Sequence, residues 1–292
     1  MLGILLVSST MVLRAYAKIN LGLKVLGKRK DGYHDIETIF HRIDLFDEIA
    51  IEPAGESIEL TADGFEIPLD EENLCWKAIE LMRGKTGSTN GASVKIGKRI
   101  PVGAGLGGGS SDAAAVLKAL PSIWNIHVDP STLAEVALEL GSDVPFFLHT
   151  RSAFAAGRGE RLKFVKVSLP QWILLVTPNI HISTAWAYAQ LSGTINSSRK
   201  PVKLYDESSC TVAPLRVLME NDFEPVVFAA YPIVSDLKHD LLKWGAEHAL
   251  LSGSGSSVFG LFTAERAARD AAELLQKKYF VSLTPPNFFP LL

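Results

Sequence analysis

Two periodicities divide the chain. From Val12 to Leu26 apolar and polar residues alternate, with Leu21, Leu23 and Val25 on one side, which predicts a half-buried strand. On that strand Lys18 and Asn20 share a face, because side chains two apart point the same way. Asp31-Gly32 signals a turn, and Ile36 to Ile51 predicts further strand, broken by a loop over Asp44 to Glu48. Glu72-Asn73 leads into a helix carrying Leu74, Ala78, Leu81 and Met82, and Val94 to Ile96 is a short strand. Leu133, Val136, Ala137 and Leu140 then mark the apolar stripe of another helix, started by Asp129 as cap and Pro130 at its first position and stopped by Gly141. Phe154 to Val167 predicts a hairpin about Gly157-Arg158-Gly159-Glu160.

A change of composition at Ser168-Leu169-Pro170 predicts a boundary, giving domains of residues 1–167 and 168–292. The second contains a strand from Trp172 to Thr177, a helix from Thr184 to Leu191 and a polar loop from Ser192 to Pro201. A helix from Val234 to Trp244, the Leu250 to Phe262 segment and a helix after Thr263 complete a smaller α+β unit. At 292 residues and 47% apolar, the chain is long and hydrophobic enough for two cores.

A formal net charge of −3 argues against a nucleic-acid-binding protein, and Lys28-Arg29-Lys30 reads as a solvated turn. Cys75 and Cys210 lack partners at disulfide-framework or zinc spacing, which points to a reducing cytoplasm. The apolar start from Met1 to Val12 has neither the basic flank nor the cleavage site of a signal peptide. It reads as an extension or first strand, with Met11 as an alternative start. No run approaches the ~18 apolar residues of a membrane span, so no membrane partner is expected.

One segment changes this picture of an ordinary two-domain chain. Pro101, Val102, Gly103, Ala104, Gly105, Leu106, Gly107, Gly108, Gly109, Ser110 and Ser111 run directly into the helix-forming Asp112 to Leu120. Glycines let the backbone approach an anion, serine hydroxyls cap a helix, and free N–H groups with the macrodipole favour phosphate there. A tight turn is the plain alternative, but five glycines within Gly103 to Gly109 favour a phosphate cradle. It is neither a Walker A loop, lacking Gly-Lys-Ser/Thr, nor a protein-kinase loop, since no His-Arg-Asp or Asp-Phe-Gly follows.

The loop resembles the second motif of the GHMP kinases, the family of galactokinase, homoserine kinase and mevalonate kinase. Ala15 to Leu23 and Leu251 to Phe259 are similar to the first and third motifs, in order. Two more segments, Lys30-Asp31-Gly32-Tyr33-His34-Asp35-Ile36-Glu37-Thr38 and Gly141-Ser142-Asp143-Val144-Pro145-Phe146-Phe147, resemble the branch acting on 4-diphosphocytidyl-2-C-methyl-D-erythritol. The resemblance implies an α/β (α+β) two-domain fold with the active site in the interdomain cleft. It implies ATP-dependent phosphorylation of that cytidyl diphosphate's 2-hydroxyl in non-mevalonate isoprenoid synthesis, by a cytoplasmic monomer or weak homodimer. A GHMP kinase for homoserine or mevalonate is the alternative within the family, and a non-catalytic regulator or nucleic-acid-binding protein the alternative outside it.

Phosphoryl transfer to an alcohol needs a proton acceptor and positive charge near the transferring group. By resemblance Asp143 is the base and Lys18 its neighbour, while Asn20 and Thr184 touch the polyol. Tyr33 and His34 meet the cytosine, and Tyr188, where Phe is familiar, closes its other face with Trp186 as a rival. Ser110 and Ser111 are candidates for phosphate or Mg²⁺, whose carboxylate ligands the sequence leaves unknown, and Asn73 and Lys77 are candidates for the adenine border. The Ser252 to Ser257 loop would shape the cleft.

Overall fold

A computed structural model describes residues 10–191, 205–206, 211–212 and 219–290. The apolar start at 1–9, the predicted polar loop at 192–201 and Cys210 lie outside the described residues.

The long strand β2 (His34–Pro53) organises the first sheet. Strand β1 (Met11–Lys28) pairs antiparallel along one edge of it. The other edge is divided between β4 (Ala92–Lys98) and β5 (Ser152–Gly157), which continue outward to β3 (Ile58–Gly64) and β6 (Arg161–Val165). Helices α1 (Leu74–Thr86), α2 (Gly108–Ile123), α3 (Pro130–Leu140) and the short α4 (Val144–Phe147) pack into one core with this sheet. The chain then enters a four-stranded sheet containing β7 (Trp172–Thr177), followed by α5 (Thr184–Leu191) and a two-residue ladder, β8 (Tyr205–Asp206) with β9 (Thr211–Val212). Helices α6 (Glu224–Ala230) and α7 (Pro232–Lys243) precede β10 (His248–Leu251) and β11 (Val258–Phe262), and α8 (Glu265–Leu275) leads to β12 (Phe280–Thr284).

The sequence predicts a half-buried β1, yet Ala15 to Val25 is buried on both faces. Ala17, Ile19 and Leu21 pack with Ile173, Leu175 and Phe259 of the second sheet, each large side chain contributing about 1.5–3 kcal/mol of burial. Leu23 and Val25 join the separate core of the second unit, after register shifts that break the simple alternation. Lys18 and Asn20 therefore lie on a strand face that is polar by side chain but enclosed.

Strand β2 also departs from expectation, because Asp44 to Glu48 continue it without a loop. Asp44 donates its N–H to Thr284 Oγ1 at 2.8 Å, and the fully buried Asp47 carboxylate is satisfied internally. Its Oδ1 accepts the N–H groups of Arg99 and Ile100 at 2.5 and 2.8 Å, and its Oδ2 accepts from Lys98 Nζ at 2.6 Å. Polar residues that suggest a loop in isolation are here the anchor of the segment entering the glycine loop.

Helix α2 begins at Gly108, earlier than the alanine run, with left-handed Gly107 (φ 70°) as its cap. No serine side chain caps it, contrary to expectation. Both serines lie inside the first turn, past the capping position, and Ser111 Oγ instead donates to Tyr16 O at 2.8 Å.

Candidate active site

The glycine loop is held from two sides. Lys18 N–H donates to Leu106 O at 2.9 Å, tying it to β1. Across the cleft, Ser257 N–H donates to Ala104 O at 3.3 Å and Ser252 Oγ to Gly105 O at 3.0 Å. These contacts border a cavity of about 1180 Å³ lined by both units, which takes in Pro101 to Ser110. Ser111, buried and turned to Tyr16, is not part of its wall.

Lys18 Nζ lies 3.5 Å from Asp143 Oδ2, donates to Asn20 Oδ1 at 2.7 Å and sits 4.9 Å from the Phe40 ring centre. Asn20 in turn donates to Thr38 Oγ1 at 2.9 Å, and Thr38 to Gly22 O at 2.6 Å, so the ammonium ends a chain of fixed dipoles. Asp143 starts α4 without using its carboxylate as a cap, leaving that group at the cavity wall with its side chain 32% exposed. A Cβ on Gly107 would lie 3.3 Å from Lys18 Cε, so the cradle and the Lys18–Asp143 pair are immediate neighbours.

Another part of the wall is aromatic. His34 stacks on Tyr188 with ring centres 4.8 Å apart and planes 16° apart, and Tyr188 meets Phe223 edge-on at 4.9 Å. Burial, reinforced by Lys28, lowers the His34 pKa, and His34 Nε2 is buried without a hydrogen-bond partner. Burial, with the charge of Asp143 second, pushes the Tyr188 phenol up to about 12. Tyr33 is exposed at the rim, with the Arg158 guanidinium 4.7 Å from its ring centre. Trp186 packs edge-on against Tyr231 and is absent from the cavity wall, whereas Tyr188 is part of it. Thr184 reaches the cavity and exchanges a 3.0 Å hydrogen bond with Ser254 Oγ. Asn73 also reaches it, while capping α1 through Cys75 N–H, but Lys77 does not.

Several residues here carry no motif signal. Lys98 sits beneath Gly108, 2.6 Å from both Asp47 Oδ2 and Asp112 Oδ2. Burial, then Asp47, pushes the Asp112 carboxyl up to about 8 against the pull of Lys98. This triad joins β2, β4 and α2 under the cradle. Its only sequence cue is a lysine ending an otherwise apolar-alternating strand, too common a pattern to single out. Arg158 falls in the predicted hairpin turn, where charge is ordinary. Among the described residues, no group of three or more His, Cys, Asp or Glu side chains comes together as a metal site.

A phosphate cradle beside a buried lysine and a carboxylate, in a cleft between two α/β units, defines an ATP-dependent small-molecule kinase. The chain belongs to the GHMP kinase family: the family's N terminal domain matches residues 73–151 and its C terminal domain residues 211–280. It is 43% identical over 278 residues to 4-diphosphocytidyl-2-C-methyl-D-erythritol kinase of Chlorobium chlorochromatii (strain CaD3), covering 94% of this chain and 96% of that one. It is 44% identical over 278 residues to the kinase of the same name from Chlorobium phaeobacteroides (strain BS1), covering 94% and 97%. A crystal structure of 4-(cytidine 5'-diphospho)-2C-methyl-D-erythritol kinase superposes with TM-score 0.74 at 35% identity, covering 94% of this chain and 98% of the other. Homoserine kinase from Cytophaga hutchinsonii superposes with TM-score 0.71 at 17% identity over 98% of each chain, a likeness of fold.

Proposed function

We propose that this chain transfers the γ-phosphoryl group of ATP to the 2-hydroxyl of 4-diphosphocytidyl-2-C-methyl-D-erythritol, giving the 2-phosphate and ADP, in non-mevalonate isoprenoid synthesis. The supporting observation is one cavity whose wall holds the glycine loop, the Lys18–Asp143 pair and the His34–Tyr188 rings together. The relatives' shared name supports the same substrate. The cradle fits ATP, since any Cβ at Gly107 would enter the space beside Lys18. Asp143 accepts the hydroxyl proton, and Lys18 places positive charge between it and the cradle. Asn20 and Thr184 orient the polyol.

Mg²⁺ is expected with ATP, where it offsets phosphate charge. With no carboxylate cluster present among the described residues, the nucleotide's own oxygens and the Ser110 hydroxyl at the start of α2 would hold it. The division at 167/168 separates the units that supply the cradle and Thr184. The enzyme works on a small molecule in the cytoplasm, as a monomer or weak homodimer without nucleic acid. No described helix is long and apolar enough to cross a membrane.

The cytosine is recognised at the aromatic end. His34 Nε2 supplies an unused hydrogen-bonding atom, and Tyr33 and Tyr188 supply ring faces. Because His34 already lies on one face of Tyr188, the base enters beside that stack, toward Tyr33 and Arg158. Tyr33→Ala or Tyr188→Ala should raise KM for the cytidyl substrate by about one to two decades, at roughly 1–3 kcal/mol per stacking contact, with ATP affinity unchanged. Tyr188→Phe should be nearly silent, since stacking needs the ring. Trp186→Ala, away from the wall, should leave KM intact; a KM effect there and none at Tyr188 would reverse the assignment. Coupled ADP release with the cytidyl substrate, homoserine and mevalonate tests the whole reading, which turnover of homoserine or mevalonate alone would overturn.

A further inference from the structure

Residues Glu220 to Asp222 follow the second unit's ladder in sequence but bond to the first unit's β1. Leu23 N–H donates to Glu220 O at 2.9 Å, Asp222 N–H to Leu23 O at 3.0 Å, and Val25 N–H to Asp222 Oδ2 at 2.8 Å. The buried Lys24 ammonium contacts both Glu220 and Asp222. Between them Asn221, buried, turns the opposite way. Its Nδ2 donates to Leu251 O and Gly253 O, both at 2.8 Å, and its Oδ1 accepts Phe223 N–H at 2.9 Å. Both amide hydrogens and the amide oxygen are used, so the side chain has one orientation and links β1 to the start of the Ser252–Ser257 loop.

That loop touches the cradle and both residues assigned to the polyol. Ser252 Oγ bonds Gly105 of the cradle, and Ser254 Oγ bonds Thr184. Gly253, left-handed at φ 58°, leaves only 3.4 Å between a virtual Cβ and Asn20 Oδ1. Asn221 itself does not reach the cavity wall. We infer that Asn221 is a positioning residue, a buried bracket that fixes the Ser252–Gly255 loop against β1 and thereby sets the acceptor alcohol's place relative to the phosphate cradle. The inference rests on the proposed assignment of Asn20 and Thr184 to the polyol.

The decisive variant is Asn221→Asp, which keeps shape and the acceptor for Phe223 N–H but turns an oxygen toward two carbonyls. In the full-length protein kcat/KM for the cytidyl substrate should fall about 10–100-fold, the scale of a misplaced reactant, well below the melting temperature, with a smaller loss of calorimetric ATP affinity because Lys18 and Ser257 N–H groups still hold the cradle. Ser254→Ala cuts a downstream contact of the same bracket, so the double variant should fall no further than Asn221→Asp alone. Hydrogen exchange of the 251–255 amides should accelerate in Asn221→Asp whichever alcohol the enzyme uses. Wild-type turnover separates the two questions: failure with the cytidyl substrate sinks the assignment of substrate, whereas unchanged kcat/KM or unchanged loop exchange in folded Asn221→Asp sinks the bracket. If that variant does not fold, Gly253→Ala, which strains the loop at φ 58° where Asn221 holds its carbonyl, must produce the same loss in a folded protein; wild-type kinetics there would overturn the inference.

Discussion

Asp143→Asn should lower kcat by about two to four orders of magnitude while leaving ATP affinity essentially unchanged, because it removes a proton acceptor and little else. The carboxylate caps no helix N–H, so α4 does not depend on it. Its partner ammonium, 3.5 Å away, retains Asn20 as an acceptor at 2.7 Å. The Asp143 side chain is partly exposed and asparagine keeps an oxygen facing the ammonium, which limits the stability lost with the ion pair even though Lys18 is buried. Lys18→Met should give a comparable fall in kcat through lost charge stabilisation. Its stability cost should exceed that of Asp143→Asn, since it deprives the buried Asn20 oxygen of its donor. Coupled ADP release and calorimetric ATP titration check both, and near-normal turnover in a folded Asp143→Asn protein would remove Asp143 from the mechanism.

Much of the site was legible because its chemistry is local in sequence. The glycine loop announces itself by five glycines in seven positions, and Gly103, Gly105 and Gly107 adopt positive φ, which glycine alone takes up without strain. The shared face of Lys18 and Asn20 follows from strand period, and their 2.7 Å hydrogen bond bears it out, whereas the role of Lys18 is what the family resemblance implies. Helix α5 runs from Thr184 to Leu191 as predicted, which puts Tyr188 in the wall and Trp186 outside it. Periodicity could not supply this last distinction, because two aromatic residues two apart on a helix differ by which neighbour happens to lie beneath them.

What the sequence concealed is long-range. Asp47 looks like loop composition until Lys98, fifty-one residues later, and the Arg99 and Ile100 amides meet it inside the protein. Asn221 is an ordinary turn asparagine until the Leu251 and Gly253 carbonyls are placed against it. The half-buried reading of β1 failed for a related reason, since one-dimensional alternation cannot show that a second sheet covers the outer face. The Asp47 carboxylate and the Asn221 amide hydrogens are buried and satisfied by distant partners, and no short-range pattern reports such a partner.

The glycine loop supplies the second large effect. Gly107→Val should weaken ATP binding and lower kcat by about a hundredfold, the scale on which turnover falls when reacting groups shift by an ångström. A side chain at Gly107 must adopt φ near 70°, a strain of about 1–3 kcal/mol, and its Cβ would stand 2.9 Å from Phe147 Cζ and 3.3 Å from Lys18 Cε. Relief of either contact moves the cradle or the lysine, so kcat should fall with affinity. Gly108→Val meets Lys98 Nζ and Ile100 Cγ2 at 3.0 Å without positive φ, and should act more weakly by disturbing the triad beneath the helix. Gly105→Val is the severest, because its Cβ would run into the Ser252 carbonyl oxygen and backbone cannot swing aside as a side chain does. It should compromise folding as well as binding. The cytidyl substrate should still bind folded Gly107→Val, since a Cβ there meets Phe147 and Lys18 first and not Tyr33, His34 or Tyr188. Calorimetry with each ligand separates the two sites: unchanged ATP affinity in folded Gly107→Val would refute the cradle, and equal loss of both ligands would mean that the loop holds the whole cavity open.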